Sequence, residues 1–130
     1  MRILLSLALV CAAATMAGCN TIAPIQNVSN ASVIGPGGKP LNTEEVRGAI
    51  LRAGAGLGWI MTEARPGVVK GKLLLRTHTA EVEIPYSQTE YSIVYKTSVN
   101  LDAADGKIHR AYNGWIQNLN RGINAQLAAT

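Results

Sequence analysis

The sequence predicts a single α+β domain: a four-stranded antiparallel meander with two helices packed on one face, in the order α-β-β-β-β-α. Two segments carry apolar residues at helical spacing, and the residues between them alternate apolar and polar side chains as strands do. A length of 130 residues fits one domain, and 48% hydrophobic residues exceed what a disordered chain contains. Because both helices and one sheet face are amphipathic, placing both helices on the same side buries the apolar surfaces together.

The first helix is predicted to begin at Asn42, which is followed three positions later by Glu45 in the pattern of a capping box. Its apolar face is formed by Val46, Ile50, Ala53 and Leu57. Three glycines are expected to end it: Gly54, Gly56 and Gly58. The last helix is predicted from about Lys107 to Leu127, with an apolar stripe of Ile108, Tyr112, Trp115, Ile116, Leu119, Ile123 and Leu127.

Three hairpins are predicted between the helices, and their registers agree with one another. The predicted turns and the pairs they imply are Pro66-Gly67 (Ile60 with Leu73), Thr77-His78 (Leu73 with Val82) and the loop Ser87 to Glu90 (Val82 with Tyr95). A one-residue slip in any hairpin would turn its side chains to the opposite face. All three registers place the same set on the core face: Ile60, Leu73, Leu75, Val82, Ile84, Ile93 and Tyr95.

Residues 1–18 have the features of a targeting segment, since Arg2 supplies a positive charge and residues 3–14 form a short apolar stretch. The segment ends in Ala17 and Gly18, two small residues that lead directly into Cys19. This pattern resembles the lipobox of bacterial lipoproteins, in which the signal peptide is removed and the cysteine is acylated. The alternative is an ordinary secretory signal in which Cys19 has no role.

The resemblance implies that Cys19 carries a diacylglyceryl thioether and an amide-linked acyl chain such as palmitate, which together suffice for stable membrane attachment. Asn20 stands where an Asp would resemble an inner-membrane retention signal. We therefore expect a location at the outer membrane of a Gram-negative cell, lipid-anchored on the periplasmic side. Residues 19–40 are rich in Asn, Ser, Pro and Gly and predict a flexible tether before a domain at residues 41–130; packing of this segment on the domain is the alternative.

The region from about residue 58 to residue 123 also resembles small, uncharacterised periplasmic lipoproteins of Gram-negative bacteria. The residues that carry this resemblance are Gly58-Trp59, Ile84-Pro85-Tyr86, Tyr95 and the run from Ile108 to Ile116. The resemblance implies an envelope location and a packed domain, and it implies no activity.

A formal net charge of +4 is compatible with anionic partners such as lipid headgroups, lipopolysaccharide or nucleic acid. The predicted register instead sets lysines opposite glutamates in a cross-strand ladder: Lys70 with Glu63, Lys72 with Glu83 and Lys96 with Glu81. Such pairs cancel most of the local field, so we expect a solvated ladder rather than a basic binding patch. Export to the envelope further argues against nucleic acid as a partner.

Few residues are available for catalysis or metal binding. The two histidines, His78 and His109, lack the spacing of a metal-ligand motif and would need a third ligand from the few carboxylates. The sequence has no G-x-S-x-G motif, and its glycine-rich stretch follows a helix, whereas a phosphate-binding loop precedes one. We therefore expect a protein that is not an enzyme and that holds no metal and no cofactor.

An apolar patch on the outer face of the sheet is the remaining candidate site. The predicted register places four large apolar side chains there: Trp59, Met61, Leu74 and Val94. Exposed patches of this kind mark contact surfaces, so the expected partner is an envelope protein or a second copy of this chain. Cover by the lipid-proximal tether is the alternative. A different function, inhibition of an incoming hydrolase, would use the loop from Ser87 to Glu90.

Overall fold

The structure, a computed structural model, describes residues 21–130, so the predicted signal segment and Cys19 lie outside the described residues. The elements in chain order are β1 (Ile22–Pro24), β2 (Val28–Ser32), α1 (Thr43–Gly56), β3 (Ile60–Arg65), β4 (Val68–Leu75), β5 (His78–Pro85), β6 (Glu90–Val99), β7 (Lys107–His109) and α2 (Ala111–Ala128). Five strands form an antiparallel sheet in the order β2-β6-β5-β4-β3, and β1 pairs with β7 in a separate two-stranded sheet. The α+β class with two helices is confirmed, whereas the predicted four-stranded meander is only the β3–β6 part of a larger sheet.

Helix α1 begins where its capping box predicts. The Asn42 Oδ1 accepts a hydrogen bond from the Glu45 N–H at 2.8 Å, and the Asn42 N–H donates to the Glu45 Oε1 at 3.2 Å. These two bonds satisfy amides that a helix start otherwise leaves without partners. The helix runs through Gly54 to Gly56, and Gly58, with a φ of 85°, turns the chain into β3.

The last helix begins later than predicted, because residues 107–109 form β7 and pair with β1 instead of making a helical turn. The predicted stripe is otherwise the buried side of α2, at Tyr112, Ile116, Leu119, Ile123 and Leu127. Trp115 is partly buried at its edge.

A β-bulge in β3 reverses the face that its side chains present. Next to the Pro66-Gly67 turn, Arg65 pairs with Val68, but the register shifts between Glu63 and Arg65, so that Ile60 pairs with Lys72 instead of Leu73. A shift of one residue exchanges the two faces of a strand. Ile60 is therefore 54% exposed on the outer face, and Met61 points into the core.

In the next two hairpins, most side chains lie on the face of the sheet that was predicted for them. The β4–β5 turn places two residues, Arg76 and Thr77, between the paired Leu75 and His78, a shift of two residues that leaves Leu73 and Val82 in the core. Leu75, at the end of its strand, is 45% exposed, contrary to the prediction that it lies in the core. The β5–β6 pairing of Val82 with Tyr95 is confirmed.

Both helices lie against the same face of the sheet, which we call the inner face. Met61 of β3 packs against Gly54 of α1. A Cβ atom added to Gly54 would lie only 2.3 Å from the Met61 sulfur. The Tyr91 hydroxyl of β6 is hydrogen-bonded to the Oδ1 atoms of Asn120 and, at 2.8 Å, Asn124, both on α2. Burial raises the pKa of Tyr91 to about 12, with the Asn124 hydrogen bond opposing the rise.

The residues predicted to form a flexible tether belong to the fold from Ile22 onward, so that prediction is wrong for them. Strand β2 pairs with β6, and partly buried apolar side chains of this segment pack on the core: Ile25, Val28, Ala31 and Val33. Their spacing is irregular because the β2 register shifts around Asn30, whose φ is 52°. An irregular strand has no sustained sequence period, which is why composition alone indicated a linker.

A buried asparagine attaches this segment to α2. The Nδ2 of Asn113 donates to the Pro24 carbonyl oxygen at 2.9 Å, and its Oδ1 accepts from the Gln26 N–H at 3.0 Å. Asn113 is 5% exposed, so its side chain, and not water, supplies the hydrogen-bond partners of these two backbone groups. The domain therefore includes the segment from Ile22 onward and does not begin at residue 41.

We expect Gly54→Ala to lower the free energy of unfolding by about 1–3 kcal/mol, because the new methyl group overpacks against Met61. Gly56→Ala is the matched control: apart from its chain neighbours and the backbone of its own helix, no heavy atom lies within 4 Å of the place its new methyl carbon would take, so we expect a gain of up to about 1 kcal/mol from helix propensity. Urea unfolding of both variants measures the difference. Equal stability of the two variants would contradict the inward position of Met61.

We expect Asn113→Ala to lower the free energy of unfolding by about 1–3 kcal/mol, because it leaves two backbone groups without partners. Asn118→Ala removes the same chemical group from an exposed position of α2 and should stay within about 0.5 kcal/mol of the wild type. Urea unfolding and hydrogen exchange at the Gln26 amide provide the measurements. An unchanged protection of the Gln26 amide in Asn113→Ala would refute this attachment.

Candidate functional site

The four residues of the predicted partner surface do not lie together. Trp59 is 4% exposed and Met61 packs between α1 and β4, so both belong to the inner face. Leu74 is 55% exposed and Val94 is partly exposed, and both lie on the outer face. The prediction is wrong for Trp59 and Met61, because the bulge in β3 exchanges its two faces.

The outer face instead carries a different apolar group, which we call the apolar end: Ile60, Leu74 and Val99. Thr79 pairs with both Leu74 and Val99, so these three side chains form one row across neighbouring strands. Ile60 belongs to the next row through its pairing with Lys72. The three apolar side chains are 54–60% exposed, so no element within residues 21–130 covers them.

Charged side chains occupy the middle of the outer face, and we call them the charge ladder: Arg65, Lys70, Lys72, Glu81, Glu83 and Lys96. Glu81 lies 3.6 Å from Lys70 and 3.8 Å from Lys72. Glu83 lies 3.8 Å from Arg65 and 3.9 Å from Lys96. Each carboxylate is thus shared by two cations, and the ladder carries four cations against two carboxylates. Pairs this exposed contribute at most about 1 kcal/mol each.

A ladder of opposite charges was predicted, but the observed ion pairs differ from the predicted ones. Lys72 pairs with Glu81 rather than Glu83, because the β4–β5 turn lies earlier in the chain than predicted. Lys96 contacts Glu83, because a bulge next to Val82 removes Lys96 from its predicted position opposite Glu81. Glu63 is not part of the ladder, because it lies 3.1 Å from Arg47 of α1. The hydrogen bond and the charge of Glu44, together with the charge of Glu63, raise the pKa of Arg47.

The structure brings both histidines to one cavity of about 320 Å³, which we call the end cavity. The cavity lies where the β4–β5 turn approaches the start of α2. Its volume falls in the range of small-molecule pockets. Besides Ala111, six residues line it: Leu75, Arg76, His78, Leu101, His109 and Trp115.

Each histidine is held by the backbone through its Nδ1 atom. The His78 Nδ1 lies 2.6 Å from the Asn100 carbonyl oxygen, and the His109 Nδ1 accepts the Ala111 N–H at 3.1 Å. The chain beside the cavity also adopts left-handed conformations, with φ of 56° at Arg76, 61° at Asn100 and 54° at Asp102. Within residues 21–130, no group of three or more His, Cys, Asp or Glu is placed to hold a metal ion.

Sequence reasoning missed the end cavity, because it treated His78 as a turn residue and His109 as the start of a helix. No local pattern links the two, since their proximity depends on the β4–β5 turn and on the β1–β7 pairing that moves the start of α2. The positive φ of Arg76, which marks the turn beside the cavity, is visible only in the structure.

Comparison with known proteins finds no matching family model, no similar curated protein and no similar solved structure. Neither helix in the described part of the chain is both long enough and apolar enough to cross a membrane.

Proposed function

We propose that this protein is a lipid-anchored, non-enzymatic binding module of the bacterial cell envelope. Its acylated Cys19 would hold it at the periplasmic side of the outer membrane of a Gram-negative cell. The observation that supports binding best is the outer face of the sheet, where three large aliphatic side chains remain exposed beside the charge ladder. Exposed apolar groups with a polar border are typical of surfaces that contact other proteins.

The charges of the outer face define the chemistry of the partner. The charge ladder has two more cations than carboxylates, and it adjoins the apolar end formed by Ile60, Leu74 and Val99. A complementary protein surface would place aliphatic side chains against the apolar end and carboxylates against the ladder. Electrostatic complementarity of this kind selects partners and orients them as they approach.

The position of β1, the first described strand, bears on where this partner lies. Three peptide units separate Cys19 from Ile22 and span at most about 11 Å. An anchor on Cys19 would therefore hold the domain close to the lipid headgroups, without the reach of a long tether. We infer that the partner lies in or on the same membrane.

A non-enzymatic role agrees with how the titratable residues are used. Glu81 and Glu83, two carboxylates on the same face of β5, point from the outer face and are each shared by two cations. His78 and His109 each use one ring nitrogen to hold the backbone. We therefore propose no reaction for this protein.

A second candidate function is inhibition of a hydrolase through the loop from Ser87 to Glu90. The Ser87 Oγ accepts hydrogen bonds from the Thr89 and Glu90 N–H groups at 3.2 and 3.1 Å. All four loop residues are exposed. A loop held in one conformation before binding loses less entropy when it enters a cleft, as an inhibitory loop must.

The docking proposal predicts a photo-crosslink from the outer face that depends on Leu74. A photoreactive amino acid at the exposed Thr62 should yield a specific adduct in intact cells of the source organism, and Leu74→Lys should remove it. Ile34→Lys is the matched control, because Ile34 is 62% exposed and lies outside the five-stranded sheet. Mass spectrometry identifies the adduct.

An adduct that persists in Leu74→Lys would remove the outer face from the proposal. A product of twice the monomer mass would replace the envelope partner with a second copy of this chain. An adduct lost equally in Ile34→Lys would indicate a general loss of fold or export. Circular dichroism of the purified variants distinguishes the two causes.

The lipid-anchor proposal predicts that Cys19→Ser abolishes metabolic labelling by an alkyne analogue of palmitate and releases the protein from membranes. Cys11→Ser is the control, because Cys11 would be removed with the signal peptide and the label should persist. Density-gradient separation of the two membranes tests the outer-membrane location. Labelling that survives in Cys19→Ser, or a labelled wild type in the inner membrane, would overturn the corresponding part of the proposal.

A further inference from the structure

The end cavity combines an apolar body with a cationic rim. Leu75, Leu101 and Trp115 supply the apolar lining, and no Asp or Glu is among the lining residues. The guanidinium of Arg76 makes no ion pair with any residue between 21 and 130. A ligand that fits this lining has an apolar chain and a negatively charged head.

The backbone fixes complementary roles for the two imidazole rings. Because the His78 Nδ1 faces a carbonyl oxygen, it must carry the proton, and the neutral ring keeps a lone pair on Nε2. Because the His109 Nδ1 accepts an N–H, the proton of its neutral ring is on Nε2. Among the described residues, neither Nε2 has a hydrogen-bond partner. The cavity thus offers one acceptor and one donor from the two rings.

We propose that the end cavity binds the carboxyl head and adjoining alkyl chain of a small amphipathic acid. One carboxyl oxygen would accept from the His109 Nε2–H, and the acid proton would lie between the other oxygen and the His78 Nε2. Transfer of this proton to His78 leaves a carboxylate that accepts from both rings, with the Arg76 guanidinium at the rim. The alkyl chain would lie against Trp115 and Leu101.

The position of the cavity indicates how such a ligand would arrive. His109 pairs with Ile22, and the Arg110 N–H donates to the Thr21 carbonyl oxygen at 2.8 Å. The cavity therefore lies beside Thr21 and Ile22, which follow Cys19 closely in the sequence. Entry of the acid from the membrane surface rests on the proposed lipidation, whereas the binding chemistry of the cavity does not.

The experiment is calorimetric titration of the full-length protein in phosphatidylcholine nanodiscs with octanoate, with octylammonium and with acetate. Empty nanodiscs give the background. We expect saturable binding of octanoate, at least about tenfold weaker binding of octylammonium, and no measurable binding of acetate, which lacks the chain. Equal binding of octanoate and octylammonium, or no saturable octanoate binding, would overturn the proposal.

Two variants locate the site. Arg76→Asn removes the charge and keeps a residue that tolerates the left-handed backbone, and we expect octanoate to bind about tenfold more weakly. His78→Asn keeps an N–H donor at the position of Nδ1 for the Asn100 carbonyl and removes the Nε2 acceptor, and we expect a loss of similar size. Arg121→Asn, an exposed site on α2 outside the cavity, should bind as the wild type does.

Equal octanoate affinity in wild type, Arg76→Asn and His78→Asn would place binding elsewhere and overturn the assignment. A titration with Zn²⁺ alone separates a metal site: stoichiometric Zn²⁺ binding lost in His78→Asn, without octanoate binding, would replace the acid with a cation. Each variant is compared by thermal unfolding, so that a loss of fold is recognised as such. These outcomes do not depend on whether Cys19 is acylated or the outer face binds a partner.

Discussion

Ala64 forms a bulge in β3 beside the Pro66-Gly67 turn, and the division of the protein into a core side and a solvent side depends on it. The bulge turns Met61 toward α1, where the absence of a side chain at Gly54 and Gly71 leaves room for its thioether. It also turns Ile60 outward, where it joins Leu74 and Val99. One irregular residue therefore determines both how closely α1 approaches the sheet and which apolar side chains remain exposed.

The N-terminal segment contributes more than its composition indicates. Asn113 satisfies two backbone groups of this segment inside the fold, and the Asn27 Oδ1 accepts the Tyr95 N–H at 2.9 Å. These bonds are made by side chains, so the segment stays attached even though its strands are short. The consequence for function is geometric: the proposed anchor on Cys19 would leave the domain little freedom to move away from the membrane.

The two candidate binding regions use different parts of the fold. The outer face depends on the pairing of β3 to β6, whereas the end cavity depends on the β4–β5 turn and on the start of α2. They share no residue, so a substitution in one region leaves the chemistry of the other intact. A membrane-held domain with both would contact a protein through its sheet and a small acid near its anchor.

The sequence by itself determined the features that depend on neighbouring residues. The capping box at Asn42, the apolar stripe of α2 and the pairing of Val82 with Tyr95 could all be predicted, because each follows from residues a few positions apart or from one short loop. The existence of an alternating charge ladder was predictable for the same reason. These signals sufficed for the α+β class.

Only the tertiary structure decided the bulges, the attachment of β1 and β2, and the end cavity. A bulge is an extra residue whose position depends on how both strands pack, so the count from a turn misses it. Asn113 and the backbone at Pro24, like His78 and His109, are far apart in the chain and meet only after the sheet and α2 have formed. Local patterns specify which elements form, whereas the contacts between distant elements specify which surfaces and cavities the protein presents.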